Sequence, residues 1–146
     1  MESDFTNIDG IGEFGMDASK RSELMSLCVK YAHEGKYEEA LRVTEVCVKT
    51  NPWDVVAINN KADALRGLGR LEEAKEILVW GLTIDPKLAI GWCTLGELQV
   101  LAGERFSARL SFEFALTLIG KEDEHYQTIY GHFKSLDELE AKENKL

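Results

Sequence analysis

Gly35-Lys36-Tyr37-Glu38-Glu39-Ala40-Leu41 returns as Gly69-Arg70-Leu71-Glu72-Glu73-Ala74, 34 residues further on. Gly103 and Ala108 repeat the glycine and the small residue after another 34 positions, and Pro52 and Pro86 keep the same interval. A fixed period of this length, punctuated by Gly, a small residue and then Pro, is the pattern of a stacked helix-turn-helix array. Each unit can bury its apolar face only against its neighbours, so the period sets the architecture.

Reading outward, Leu24, Leu27, Cys28 and Tyr31 recur at helical spacing from Ser22 and stop at Gly35, where a left-handed residue closes a helix. Tyr37, Ala40, Leu41, Thr44, Cys47 and Val48 form a second stripe, ended by Asn51-Pro52. The cycle returns with Ile58, Ala62 and Leu65, then Leu71, Ala74, Leu78, Gly81 and Leu82 up to Asp85-Pro86. A third cycle has Trp92, Leu95, Gly96 and Gln99, then Ala108, Phe112, Ala115 and Leu116, and ends at Gly120 where a proline is due. The fold class is all-α: antiparallel helix pairs stacked into a solenoid.

Beyond Gly120, Tyr126, Ile129, Tyr130, Phe133, Leu136 and Leu139 share one helical face, and Glu124, Lys134, Glu138 and Lys142 share the other. An end repeat needs such a cover with a polar outer surface. Residues 1–20 alternate acids with Phe5, Ile8, Ile11 and Phe14 and are rich in glycine, which opposes a stable helix. The expected organisation is a flexible acidic arm over 1–20, three repeats over 21–120 (21–54, 55–88 and 89–120), and a capping helix over 121–146.

The net charge of −9 divides into −4, −2 and −3 over residues 1–20, 21–120 and 121–146, so the repeat body is near neutral. Nucleic-acid binding needs a basic stripe, and none is present. Anionic membrane surfaces are disfavoured for the same reason. No apolar run approaches the roughly 18 residues of a membrane span, and the acidic start does not read as a secretory signal. Three cysteines match no metal spacing, so the expected setting is reduced and cytoplasmic.

The quoted phrases, with Trp92-Cys93-Thr94-Leu95-Gly96, resemble the tetratricopeptide repeat, which implies that the all-α stack of antiparallel helix pairs winds into a right-handed superhelix. Three units cover about residues 21–120, and Tyr130-Gly131 looks like the start of a degenerate fourth first-helix. Small residues at Cys28, Ala62 and Gly96 let the first helix of each pair approach Ala40, Ala74 and Ala108 of the second. Arg105 stands where the family has an aromatic, with Phe106 beside it as a substitute that turns inward, and Lys61 takes a usually apolar position.

The resemblance implies a concave groove, lined by the first helices, for an extended peptide or a partner helix. Carried over position by position, its wall is Met25, Val29 and His33, then Asn59, Asn60, Asp63 and Arg66, then Ile90, Cys93, Glu97 and Val100. Asp63 and Glu97 make its middle acidic, which suits a segment with basic and apolar residues. Many relatives grip a chaperone's C-terminal carboxylate with two lysines, two asparagines and an arginine. The matching positions here are Met25, Val29, Asn60, Ile90 and Thr94, and only Asn60 agrees.

Two functional classes follow. One is a non-enzymatic adaptor or chaperone-like module, including the variant of a small bacterial chaperone resembling those of secretion translocators. The other is a thiol-dependent enzyme using Cys93, which has no predictable base near it. His33, His125 and His132 are dispersed and suggest no metal, and no cofactor motif is present. Val46, Trp80 and Phe114, 34 residues apart, make an apolar stripe on the convex side with Val43 and Ile77. Such a stripe serves either as an interface, including a two-fold homodimer, or as the seat of the N-terminal arm.

Overall fold

The computed structural model describes residues 17–145, so the arm expected over 1–20 lies, as far as residue 16, outside the described residues. Seven helices follow in order: α1 (Ala18–His33), α2 (Tyr37–Thr50), α3 (Val55–Gly67), α4 (Leu71–Ile84), α5 (Ala89–Leu101), α6 (Arg105–Thr117) and α7 (Tyr126–Glu143). The first helix starts earlier than its apolar pattern. Asp17 caps it by accepting the Lys20 N–H at 2.7 Å, so the first turn forms ahead of Leu24, its first buried residue.

Each first helix ends in the same turn. Gly35, Gly69 and Gly103 have φ of 72°, 76° and 78°. Across each turn the residue after the glycine donates its N–H five residues back: Lys36 to Tyr31, Arg70 to Leu65 and Glu104 to Gln99, at 2.8, 2.9 and 2.8 Å. This is the Schellman closure, which only glycine enters without strain. Second helices then open on Glu38-Glu39 and Glu72-Glu73, carboxylates at the positive end of the helix dipole.

The links between repeats are Asx turns. Asn51 and Asp85 accept the N–H of Trp53 and Lys87 across the intervening proline. Asp123 accepts the His125 N–H in the same way before α7, without a proline. Asp54 adds a tie across the array. It caps α3 through Ala57 N–H and takes both arms of Arg21 from α1 at 2.5 and 2.9 Å.

Pairs α1–α2, α3–α4 and α5–α6 pack side by side, and α1, α3 and α5 touch along one wall. Ala40, Ala74 and Ala108 are wholly buried where the helices of each pair meet. One core runs from Leu24 to Leu98 and a second joins Cys93, Phe112 and Ala115 to Ile129 and Leu136 of α7; Trp92 borders both. Helix α7 therefore covers the last repeat. Tyr130, expected in that contact, is instead 42% exposed and stacks on Tyr126.

Phe106 does not turn inward. It is 71% exposed, and Arg105 beside it pairs with Glu143 of α7. On the convex side Val46 is half-buried against the core, while Trp80 and Phe114 remain 42% and 43% exposed. Their inner faces are covered from within the chain. Trp80 lies against Trp53 with ring centroids 5.4 Å apart, and Phe114 meets Trp92 edge-on at 4.9 Å.

Candidate functional site: a concave groove

The wall made by α1, α3 and α5 holds two concavities. The narrower, of about 250 Å³, is lined by Cys28, Val29, Ala32, His33, Tyr37, Asn60 and Asp63. The wider, of about 510 Å³, is lined by Met25, Ser26, Val29, Val56, Asn59, Asn60, Ile90 and His125. Both are shallow and share Val29 and Asn60. Their surface mixes apolar side chains with amide and imidazole groups and, in the narrower one, the Asp63 carboxylate, a composition that suits an apolar side chain on a polar backbone.

Asn59 is 6% exposed, and its Oδ1 has no hydrogen-bond partner among the described residues.

Charge gathers further along the wall. Arg66 pairs with Asp63 on its own helix and reaches Glu97 of α5, Nη1 to Oε2, at 2.6 Å. The other oxygen of Glu97, Oε1, lies 3.0 Å from Nε2 of His132 on α7. Burial raises the Glu97 carboxyl above the ordinary carboxylate range, although Arg66 and His132 both pull it down. The acidic middle read from the sequence is thus corrected. Asp63 and Glu97 are not two free carboxylates but the flanks of one guanidinium.

The structure gathers Met25, Val29, Asn59, Asn60 and Ile90 into the wider concavity, and Val29, His33, Asn60 and Asp63 into the narrower. Arg66, Cys93 and Glu97 sit in the charged cluster, and Val100, 41% exposed, lines neither concavity. The sequence places Cys93 in the groove wall as an accessible thiol; in the structure it is 2% exposed. Burial, and then the nearby Glu97 carboxylate, pushes the thiol up to about 12, so almost no thiolate forms near neutral pH. Cys28 and Cys47 pack as small apolar residues, each 2% exposed.

Val56, Tyr37, His125 and His132 were not legible as groove residues. The one available signal is the step from Glu97 to His132, which equals the 35-residue step from Gly96 to Gly131. It gives His132 the register of Asp63 and Glu97, one unit along. The carboxylate-gripping set is absent here, and Thr94 is buried with its hydroxyl on the Ile90 carbonyl at 3.0 Å.

Comparison with known proteins gives the same architecture. No family model matches the chain. An uncharacterised protein of Methanocaldococcus jannaschii is 40% identical over 60 residues, which are 41% of this chain and 70% of that protein. The chain belongs to the family of this archaeal protein. It also matches the protein O-mannosyl-transferase TMTC1 of Mus musculus at 31% identity over 100 residues, and FlbA of Caulobacter vibrioides at 34% over 90. Those matches cover 66% and 62% of this chain but only 10% and 15% of the relatives' lengths.

Among solved structures, the TPR domain of Sgt2 from Aspergillus fumigatus superposes with a TM-score of 0.76 at 16% identity, over 92% of this chain and 87% of that one. The secretion chaperone SycD of Yersinia enterocolitica, in complex with a peptide of the translocator YopD, superposes with a TM-score of 0.72 at 18% identity, over 88% and 99%. The fold is the tetratricopeptide-repeat solenoid. No helix among the described residues is long and apolar enough to cross a membrane.

Proposed function

We propose that this chain is a non-enzymatic binding module, adaptor or chaperone-like, that holds an extended protein segment or partner helix in its concave groove. One observation carries the reading. The apolar side chains of Met25, Val29, Val56 and Ile90 line one concavity together with the amides of Asn59 and Asn60. A peptide supplies both complements at once, side chains for the apolar wall and polar backbone groups for the amides beside it. The SycD–YopD complex supports the reading, since that chain of the same fold binds a peptide. The buried, protonated Cys93 speaks against the thiol-enzyme alternative.

Because Arg66 pairs with both Asp63 and Glu97, neither carboxylate stands free, and selection rests on the apolar wall more than on charge. The test is a peptide array probed with the pure chain, followed by fluorescence anisotropy on the best peptide. Ile90→Asp should weaken that peptide at least tenfold while far-ultraviolet circular dichroism stays unchanged. Undiminished binding by a folded Ile90→Asp variant overturns the groove as the binding surface.

A further inference from the structure

Cys93, Glu97 and His132 bring a sulfur, a carboxylate oxygen and an imidazole nitrogen within 4.8 Å of one another. Cys93 and Glu97 stand four residues apart on α5, so one helix face presents both. His132 comes from α7, the only element added after the third repeat among the described residues. The geometry points to a three-ligand site for a divalent transition metal of the zinc type, which fastens α7 across the end of the groove.

The donor set is the first argument. Sulfur and imidazole nitrogen with one carboxylate suit zinc, whereas calcium and magnesium seek oxygen alone. Tetrahedral metal–ligand bonds of about 2.0–2.3 Å hold ligand atoms roughly 3.3–3.7 Å apart, so the Glu97 and His132 atoms, now 3.0 Å apart, open slightly while the Cys93 sulfur closes from within 4.8 Å.

The surroundings are the second. Arg66 holds Oε2 of Glu97, which turns Oε1 toward His132. The His132 ring stacks on Phe112, with centroids 5.3 Å apart and planes 11° apart, so its orientation is set by packing. These are the supporting contacts that a metal ligand needs.

Charge is the third. A dication with one thiolate and one carboxylate is neutral, and Arg66 and Asp63 beside it neutralise each other. Such a centre suits a half-buried setting better than a bare cation would. Binding replaces the thiol proton with the metal: the S–H bond breaks, an S–metal bond forms, and the proton leaves to solvent. The proton between Glu97 Oε1 and His132 Nε2 moves to Nδ1 of the ring, and the hydrogen bond gives way to two bonds to the same ion.

The test uses the whole chain, reduced, with Co²⁺ and then Zn²⁺ as probes. Co²⁺ should give a near-ultraviolet thiolate-to-cobalt charge-transfer band at one equivalent, which Zn²⁺ then displaces. Calorimetry of Zn²⁺ in buffers of different ionisation enthalpy should show about one proton released per ion. Cys93→Ser should abolish the band. His132→Ala should weaken Zn²⁺ by more than the roughly 10–100-fold that losing a mere supporting contact costs. His125→Ala, on the exposed residue just before α7, should leave the affinity unchanged. Absence of the band with the wild-type chain, or its persistence in Cys93→Ser, overturns the proposal. The wild-type measurement decides even if a variant fails to fold, and neither outcome bears on the Ile90 test of peptide binding.

Discussion

The ring of Phe112 fills the space that a side chain at Gly96 would need. A β-carbon on Gly96 would lie 2.6 Å from Cε1 of Phe112, and that ring is wholly buried. Two effects of Gly96→Ala then oppose each other. Alanine favours the helix by about 1 kcal/mol, and forcing the ring aside costs about 1–3 kcal/mol. The ring is hemmed in, so the clash wins and the variant should be less stable by about 1 kcal/mol. Gly131 in α7 meets nothing within 4 Å, so Gly131→Ala should instead gain up to about 1 kcal/mol. Denaturant unfolding of the two variants should give opposite signs, and equal signs would contradict the packing described.

A second prediction concerns pH. The Arg21 guanidinium holds the Asp54 carboxyl below the usual carboxylate range; burial opposes this and the Ala57 N–H assists. A depressed folded-state value gives stability that is present above the unfolded value, near 4, and is lost as pH falls through the folded one. Asp54→Asn keeps the capping oxygen and removes the charge. Arg21 is 42% exposed, so screening limits the loss at neutral pH to about 1 kcal/mol. The two unfolding curves should converge once pH falls below the depressed folded-state value of Asp54. A gap of the same size at both pH values would show that the charge is not the cause.

A third follows from α7. Ile129 and Leu136 are 0% and 7% exposed, and they cover Phe112 and Ala115, both at 0%. Each large apolar side chain buried here contributes about 1.5–3 kcal/mol. Truncation after Gly120 should lower the melting temperature sharply and produce soluble aggregates in size-exclusion chromatography with light scattering. A truncated chain that remains monomeric with an unchanged melting point would deny α7 its role as a cover.

The convex stripe supplies the fourth. Trp80 touches Trp53 and donates its indole N–H to the Pro52 carbonyl at 3.4 Å. A double-mutant cycle with Trp53→Ala and Trp80→Ala should return a coupling of about 0.5–1.5 kcal/mol, the range for aromatic pairs. Light scattering of Trp80→Lys should give the wild-type mass. A halved mass, with no coupling to Trp53, would make the stripe a surface between two copies of the chain.

The helices, their turns and the buried alanines were legible because a 34-residue period repeats one set of steric demands. The groove was legible only in part. Register against the tetratricopeptide repeat names which positions face the wall, so Met25, Val29, Asn60 and Ile90 follow from that resemblance. Register does not tell how deeply each residue sits: Asn59 and Cys93 are covered by neighbours that periodicity does not rank. Nor does it tell which charges meet. Arg66 spans two helices, and His132 reaches back from an element whose spacing is offset by one residue, so neither pairing leaves a local trace.

The three turns at Gly35, Gly69 and Gly103, with φ within a few degrees of one another, make the array a ruler marked in whole units. One residue inserted within a helix would swing everything after it by about 100° around the helix axis and carry the downstream groove residues off the wall. Insertions of a full unit keep the alignment. The stretch from Leu118 to His125 is the exception, because the spacing is already one residue longer there, and α7 still reaches Phe112 and Glu97. A tag or reporter spliced into that connection should therefore leave the earlier helices in register, which makes it the natural place to instrument this protein.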